Sequence, residues 1–228
     1  MRTIHFFLDF DGTITTTDVV DLLLEKYADK AWQDIEEEWA AGKIGSRECL
    51  TRQIGLVHAT PEDLTNLVSD VKIDPYFIPF LQKAEQMGVL VTIVSDGFDL
   101  IIERILKNNL GASSGYIKAL PIFSNRLQKY GNGFKAVFPN DHACEHGCAN
   151  CKALLLKRLT SPGDHVLFVG DGLSDRYAAE KSHITFAKGK LAEWCREKNI
   201  DFIPYENFKK ITEWLTDNHS ILKKAVFK

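Results

Sequence analysis

The chain has 228 residues, of which 45% are hydrophobic, and its 28 Lys and Arg residues face 31 Asp and Glu. A net charge of -3 lacks the basic excess of a nucleic-acid-binding protein, and the apolar content exceeds that of a disordered chain. No apolar run approaches the ~20 residues of a membrane span, and the first apolar stretch meets acidic residues too soon for a signal peptide. We therefore expect a folded, cytoplasmic protein that binds neither nucleic acid nor a membrane.

The first elements along the chain are a short strand and a long helical segment. Residues 4–10 are mostly apolar, with β-branched and aromatic side chains, which predicts a buried strand. From about residue 18 to residue 71 the apolar residues recur at helical spacing, and the pattern predicts one long helix over residues 19–43. Ser46 and Thr60 are predicted as N-caps of the two helices that follow.

Strands and helices alternate in the rest of the chain. The β-branched runs "VLVTIVS" and "HVLFVG" predict strands, and helical patterns follow each of them. Such alternation predicts an α/β fold, a Rossmann-like parallel sheet with helices on both faces. We predict a core of residues 1–14 and 77–228, into which residues 15–76 are inserted as an all-helical cap. Ligands of open α/β sheets lie beyond the carboxyl ends of the strands, so the cap is expected to cover that site.

Polar residues follow each of three predicted strands. They are Asp9, Asp11, Gly12 and Thr13, then Ser95, Asp96 and Gly97, then Asp171 and Asp175. Lys152 opens a helix just before the third of these strands. In a parallel sheet these strand ends lie side by side, so the polar groups are expected to converge. Clustered carboxylates favour a hard cation such as Mg²⁺, and an Asp can act as a nucleophile. A hydroxyl and an ammonium can hold phosphoryl oxygens. The pattern therefore indicates phosphoryl transfer.

Four motifs in this order, "DFDGT", "VSDG", a downstream Lys and "GDGLSD", resemble those of the haloacid dehalogenase superfamily of phosphohydrolases. The resemblance implies that Asp9 is the nucleophile and a metal ligand. It implies that Asp11 is the general acid and base, and also a metal ligand through its backbone carbonyl. Asp171 is implied as the third Mg²⁺ ligand. An acid at position 11 points to phosphate hydrolysis, because dehalogenation does not need that acid.

The same resemblance assigns the remaining motif residues. The phosphate-binding group is implied to be Gly12, Thr13, Ser95, Asp96 and Gly97. Lys152 is implied to neutralise charge on the nucleophile and the phosphoryl group, with Lys157 as the rival lysine. Asp175 is implied to pair with Lys152 or with a metal-bound water, or it is simply an acid favoured by the first turn of a helix.

The helical segment resembles the cap of phosphoserine phosphatase, with two departures. Asp18 stands where those enzymes have a Glu that contacts the substrate amino group. Gln53, or its neighbour Arg52, aligns with the Arg that holds the substrate carboxylate, and a neutral amide cannot make that bidentate pair. We therefore expect Asp18, Gln53 and Arg52 to contact a substrate that is not necessarily phosphoserine.

A narrower resemblance runs through the C-terminal half. "CEHGCANCKALLLKRL" and "GDGLSDRYAAEKS" are similar to the phosphatases of methionine salvage. This resemblance implies a small phosphorylated enol or sugar-like substrate, such as 2-hydroxy-3-keto-5-methylthiopentenyl-1-phosphate. The alternatives are phosphoserine phosphatase or another small-metabolite phosphatase, and, in a different class, a non-catalytic module that binds a phospho-ligand or a metal.

A cysteine-rich loop precedes Lys152. Three of the five cysteines lie in it, with two histidines: His142, Cys144, His146, Cys148 and Cys151. An odd number of cysteines, three of them crowded together, favours a reducing compartment over a disulfide framework. Zn²⁺ binding, redox chemistry of the CxxC pair at a helix start, and simple packing of the thiols are the three interpretations, of which packing is favoured.

Overall fold

A seven-stranded sheet forms the centre of the fold. The computed structural model describes residues 3–110, 120–131, 133–140 and 144–223. The strands are β1 (Ile4–Leu8), β2 (Leu90–Phe98), β3 (Ile122–Tyr130), β4 (Gly133–Val137), β5 (His165–Gly170), β6 (Ile184–Ala187) and β7 (Ile203–Pro204). Their order is β4-β3-β2-β1-β5-β6-β7, and all neighbours are parallel except the β3–β4 hairpin. The prediction of a Rossmann-like α/β fold is confirmed.

Ten α-helices surround this sheet in the described part of the chain. They are α1 (Val19–Tyr27), α2 (Trp32–Ala40), α3 (Ser46–Gly55), α4 (Pro61–Ser69), α5 (Phe77–Gln86), α6 (Asp99–Leu110), α7 (Lys152–Leu159), α8 (Arg176–Ala179), α9 (Gly189–Lys198) and α10 (Phe208–Leu222). Helices α1 to α4 follow β1 directly, as the sequence predicts. Across the described residues, no helix combines the length and the apolar character needed to cross a lipid bilayer.

Both faces of the central strand β1 are buried. Phe6 packs edge-on against Phe80 of α5, with ring centroids 5.3 Å apart, and belongs to the larger hydrophobic cluster. Phe7 points the opposite way and joins the smaller cluster, which includes Leu155 of α7. Since successive strand residues face opposite sides, a strand covered on both sides favours apolar residues on both faces. This preference explains why every residue of β1 except His5 is apolar.

The single helix predicted over residues 19–43 is wrong, because the structure interrupts it after Tyr27. Ala28 is extended and forms an isolated antiparallel bridge with Val57. The amide of Asp29 donates to the Leu56 carbonyl, and the Asp29 carboxylate accepts from the amide of Ala31 two residues on. Pairing with a distant segment thus overrides a local helical pattern that has no Gly or Pro at this point.

The two predicted N-caps have different outcomes. Thr60 is confirmed, because its hydroxyl accepts from the Asp63 amide while the Asp63 carboxylate accepts from the Thr60 amide, a reciprocal capping box. The Ser46 prediction is wrong by one residue. Gly45 is the N-cap, and the Ser46 hydroxyl instead accepts from the Trp39 indole nitrogen at 3.0 Å.

The segment that follows β1 and the segment that precedes α5 lie side by side. Thr15 forms an antiparallel bridge with Ile73, and the amide of Asp74 donates to the Ile14 carbonyl at 2.8 Å. The buried Asp74 carboxylate also accepts from the amide of Phe208 at the start of α10, which attaches the returning segment to the core. These contacts hold the segment that leaves β1 beside the segment that leads into α5.

A buried histidine on β1 predicts acid sensitivity. Burial lowers the pKa of His5 from 6.5 to about 4, and the ring is held by Thr92 at 2.8 Å. A lowered pKa means that stability is full above the unfolded-state pKa and is lost as the pH falls from there toward 4. We expect acidification from about pH 7.5 to about pH 5 to cost wild type about 2 kcal/mol more unfolding free energy than His5→Gln.

Urea denaturation at both pH values measures this difference. His58→Gln, at an exposed position, serves as the matched control and should keep the wild-type pH response. An equal loss in wild type and His5→Gln would show that His5 is not responsible.

Candidate active site

The turn after β1 directs two acids to different partners. The Asp9 amide donates to the Val169 carbonyl of β5, so the chain is still held against the sheet at this residue. Gly12 has a left-handed φ of 70°, and a side chain there would collide with the Asp171 carboxylate. The carboxylate of Asp9 contacts Lys152, whereas that of Asp11 accepts from the Val19 amide at 3.3 Å. The turn thus sends Asp9 toward the core and Asp11 toward α1.

Lys152 lies between two carboxylates at the carboxyl edge of the sheet. Its Nζ atom is buried, 2.8 Å from Asp9 Oδ1 and 2.5 Å from Asp175 Oδ1, with the Ser174 hydroxyl at 3.4 Å. The rival Lys157, on the same helix, is exposed to solvent. Lys152 therefore joins the segment after β1 to the segment after β5.

Asp171 and Asp175 are positioned by backbone and hydroxyl donors. Asp175 Oδ2 accepts from the amides of Asp171 at 3.0 Å and Gly172 at 3.1 Å. Asp171 Oδ1 accepts from the Thr13 hydroxyl at 2.6 Å, and the hydroxyl of Tyr205 lies 3.4 Å from that of Thr13. Carboxylate oxygens of Asp9, Asp171 and Asp175 all lie within 4.8 Å of one another.

The segment after β2 approaches the other side of Asp11. The Ser95 hydroxyl accepts from the Gly97 amide at 2.8 Å and lies 3.4 Å from Asp11 Oδ2. A side chain at position 97 would collide with the Asp11 carboxylate, so glycine allows this close approach. Asp96 Oδ1 is buried and has no hydrogen-bond partner among the described residues. Ser95 and Gly97 thus lie next to Asp11, and Asp96 lines the same cavity.

Burial dominates the electrostatics of the site. It raises the pKa of Asp9 and of Asp11 well above the usual value, and it raises the pKa of Asp171 to about 6 with the help of the Asp175 charge. Burial would lower the pKa of Lys152, but the charges of Asp175 and Asp9 outweigh it and raise that pKa. The clustered carboxylates of Asp9, Asp171 and Asp175, with the single ammonium of Lys152, leave an excess of negative charge, which a hard divalent cation would balance.

A cavity of about 310 Å³ separates this cluster from the helices after β1. From the sheet edge it is lined by Asp9, Asp11, Asp96, Gly97, Asp171, Gly172, Leu173, Ser174, Gly189 and Lys190. From α1, α2 and α3 and the residue preceding α1 it is lined by Asp18, Val20, Asp21, Glu36, Trp39, Ser46, Cys49, Leu50 and Gln53. The volume suits a small-molecule ligand.

The three predicted cap contacts have separate outcomes. Asp18 and Gln53 line the cavity, and Gln53 Nε2 donates to Glu36 Oε2 at 3.0 Å. Arg52 does not reach the cavity; it is partly exposed and pairs with Glu38 at 2.6 Å. Neighbouring residues on a helix point about 100° apart, so only one of this pair can face the ligand. Of the three predicted cap contacts, Arg52 is the one that lies outside the cavity lining.

Residues 5–183 match the profile of the haloacid dehalogenase-like hydrolases. The chain belongs to the haloacid dehalogenase-like hydrolase family. Relatives named 2-hydroxy-3-keto-5-methylthiopentenyl-1-phosphate phosphatase come from Exiguobacterium sp. and Bacillus cereus. Both are 26% identical to this chain; the alignments cover 92% and 91% of it, and 96% and 94% of the relatives. The predicted family resemblance and an enzyme of the hydrolase class are confirmed.

Solved structures of this haloacid dehalogenase-like fold superpose over nearly the whole chain. A phospho-aspartyl intermediate analogue of phosphoserine phosphatase matches with a TM-score of 0.69 at 19% identity, covering 94% of this chain and 99% of the other. A hydrolase of the same family from Salmonella enterica matches with a TM-score of 0.69 at 22% identity, covering 92% and 70%. At these identities the likeness shows the fold.

Some residues around this hydrolase-family site were not predicted. Asn150 donates to the carbonyls of Ser95 and Phe123, at 2.8 Å in each case, and so ties the loop before Lys152 to β2 and β3. Ser174 contacts Lys152, Tyr205 contacts Thr13, and Glu36 faces the cavity from α2. The position of Asn150, two residues before Lys152, is the one sequence signal that could have identified it.

Proposed function

We propose that the protein is a Mg²⁺-dependent phosphomonoesterase that hydrolyses a small phosphorylated metabolite through a phosphorylated Asp9. The observation that supports this most strongly is the buried Lys152 between Asp9 and Asp175, beside a cavity that Asp9, Asp11 and Asp171 line. A non-catalytic binding module would not need a nucleophile, a proton donor and a charge-neutralising lysine at one point, so the proposal favours an enzyme.

The two acids of the first turn have complementary roles in the proposed reaction. Asp9 attacks the phosphorus atom, and the leaving oxygen takes a proton from Asp11. Burial raises the pKa of both acids, which suits a proton donor at Asp11. At Asp9 the adjacent Lys152 ammonium opposes that rise and favours the anionic nucleophile. Asp11 then takes a proton from the water that hydrolyses the phosphorylated Asp9, which restores both groups.

The phosphoryl oxygens have donors on two sides. The Lys152 ammonium lies next to Asp9, and the Ser95 hydroxyl lies next to Asp11. Asp9, Asp171 and the backbone carbonyl of Asp11 are the proposed ligands of Mg²⁺. The close approach of the Asp9 and Asp171 oxygens and the uncompensated negative charge fit such an ion. When bound, Mg²⁺ neutralises charge on the carboxylates and on the phosphoryl group.

We further propose that residues 15–76 act as a cap that moves relative to a core of residues 1–14 and 77–228. Thr15 directly follows the turn that carries Asp11 and forms a bridge with Ile73, so a rotation of the cap at this bridge would open the cavity. Closure would exclude water while Asp9 is attacking. Substrate contacts from the cap come from Asp18 and Gln53 in this proposal.

The relatives favour 2-hydroxy-3-keto-5-methylthiopentenyl-1-phosphate, the substrate in their names, as the leading candidate. The cavity wall agrees with a phosphate ester whose leaving group is uncharged and partly apolar, because Val20, Trp39 and Leu50 line it. Phosphoserine is less favoured. Lys190 is the single cationic side chain among the lining residues in the described chain, and its charge already acts on Asp21.

A second candidate substrate is the phosphate ester of a small amino alcohol. Asp18, Asp21 and Glu36 make the cap side of the cavity acidic, and Trp39 offers an aromatic face. A cationic leaving group would be attracted to both features, whereas a substrate carboxylate would be repelled.

Phosphate release from a substrate panel tests the function and separates these candidates. We expect turnover in Mg²⁺, a fall to background after chelation with EDTA, and full recovery when excess Mg²⁺ is added. The panel contains the methylthio-ketose phosphate, phosphoethanolamine and phosphoserine, with p-nitrophenyl phosphate as a generic ester. Absence of Mg²⁺-dependent release from every ester would contradict the proposed function.

Glu36→Gln distinguishes the two leading substrate classes. If the substrate is an amine ester, this variant should raise KM about tenfold through loss of one favourable charge interaction of ~1.4 kcal/mol. If the leaving group of the substrate is uncharged, KM should stay near the wild-type value. Glu37→Gln, on the exposed neighbouring position of the same helix, is the matched control.

A further inference from the structure

The thiols of the loop before Lys152 converge on one point. Sγ atoms of Cys144, Cys148 and Cys151 all lie within 4.8 Å of one another, although no disulfide joins them. Cys151 is buried at the N-cap of α7, and the other two are half-buried. Unbonded thiols gain little from mutual contact, so a packing role alone does not explain why all three point together.

We propose that Cys144, Cys148 and Cys151 bind one Zn²⁺ ion as thiolates, at a site separate from the acidic cluster. Zn–S bonds of about 2.3 Å in a tetrahedron place the sulfur atoms about 3.8 Å apart, within the observed separation. The thiolates of a four-iron cluster bind different iron atoms and stand farther apart, so a single ion fits better. The CxxC spacing of Cys148 and Cys151 is common in zinc sites.

The surrounding contacts resemble those of a structural metal site. The Leu154 amide donates to the Cys151 sulfur, which is the type of outer contact that orients a metal-bound thiolate. His146 does not join the three sulfurs; its ring is stacked on Tyr177, with centroids 3.7 Å apart. His142, the other histidine of the predicted cluster, lies outside the described residues. The three cysteines are therefore the assigned ligands.

The position of this site gives the ion a structural role. Cys151 directly precedes Lys152, and Asn150 ties the loop to β2 and β3. The Gly147 carbonyl, inside the loop, accepts from the Arg47 amide at 3.0 Å in the first turn of α3. The loop thus bridges the core and the helical segment. The ion would keep this short, irregular loop in one conformation and so hold Lys152 in place.

Metal analysis tests the proposal without any activity assay. Wild-type protein, reduced and then dialysed against limiting Zn²⁺, should retain about one zinc per chain by elemental analysis. The Cys148→Ser/Cys151→Ser double variant should lose it. Cys195→Ser, which changes a thiol buried in the core, and His146→Ala should both keep it. Since Asp171→Asn alters only the acidic cluster, it should keep zinc as well, which separates this site from that of the proposed phosphatase.

Cobalt substitution identifies the ligands in wild type even if a cysteine variant does not fold. Co²⁺ bound by thiolates gives an intense charge-transfer band in the near ultraviolet, whereas a carboxylate site does not. Removal of zinc by a strong chelator should also lower the thermal midpoint by roughly 5 °C or more. The proposal is wrong if reduced wild type binds no zinc, if the double variant retains it, or if the cobalt spectrum lacks the thiolate band.

Discussion

Asp9→Asn is expected to lower phosphate release by about four orders of magnitude or more, because the neutral amide cannot attack phosphorus. The fold should survive the change, since Lys152 keeps its closer contact with Asp175. Initial rates with p-nitrophenyl phosphate in Mg²⁺ measure the loss, and circular dichroism checks the fold. In addition, acid-quenched wild type should carry a phosphoryl group on Asp9 that mass spectrometry detects and the variant lacks.

The matched control for this experiment is Asp201→Asn, which removes a carboxylate from an exposed position. It should keep wild-type rates. Turnover by Asp9→Asn at more than a few per cent of wild type would remove Asp9 as the nucleophile. Residual phosphorylation of the variant at another residue would move that role to the residue found.

Lys152→Met is expected to lower both activity and stability. Breaking a buried ion pair from one side leaves uncompensated charge, and we expect the free energy of unfolding to fall by about 3 kcal/mol near neutral pH. The loss should grow as the pH rises. Burial raises the folded-state pKa of Asp9, so without the lysine the folded state must keep this carboxyl protonated while the unfolded state releases the proton, and the cost grows as the pH rises from the unfolded-state pKa toward the folded-state pKa.

Urea denaturation in EDTA measures this effect, because the chelator prevents a bound cation from replacing the lost ammonium. Lys157→Met is the matched control, since it removes an exposed lysine from the same helix and should be near neutral in stability. Equal stability of Lys152→Met and wild type, both near neutral pH and at higher pH, would contradict a central electrostatic role for Lys152.

Within the candidate site, the sequence indicated which residues converge but not every direction in which they point. Asp9, Asp171 and Lys152 meet because parallel strands bring their carboxyl ends to one edge, which the alternating pattern predicts. The choice between Gln53 and Arg52 could not be made from spacing, because it depends on how α3 is rotated against the core. Asn150 was missed for a similar reason, since its two acceptors lie on β2 and β3.

The sequence by itself determined the fold class and the members of the acidic cluster, because both follow from local patterns. Apolar periodicity specifies strands and helices, and a parallel sheet brings the carboxyl ends of neighbouring strands, with their motif residues, to one edge. Only the tertiary structure decided the break between α1 and α2, the inward turn of Gln53 and the meeting of Cys144, Cys148 and Cys151. The first two features arise from contacts between segments far apart in the chain. The third arises from the irregular conformation of one short loop, which no periodic pattern specifies.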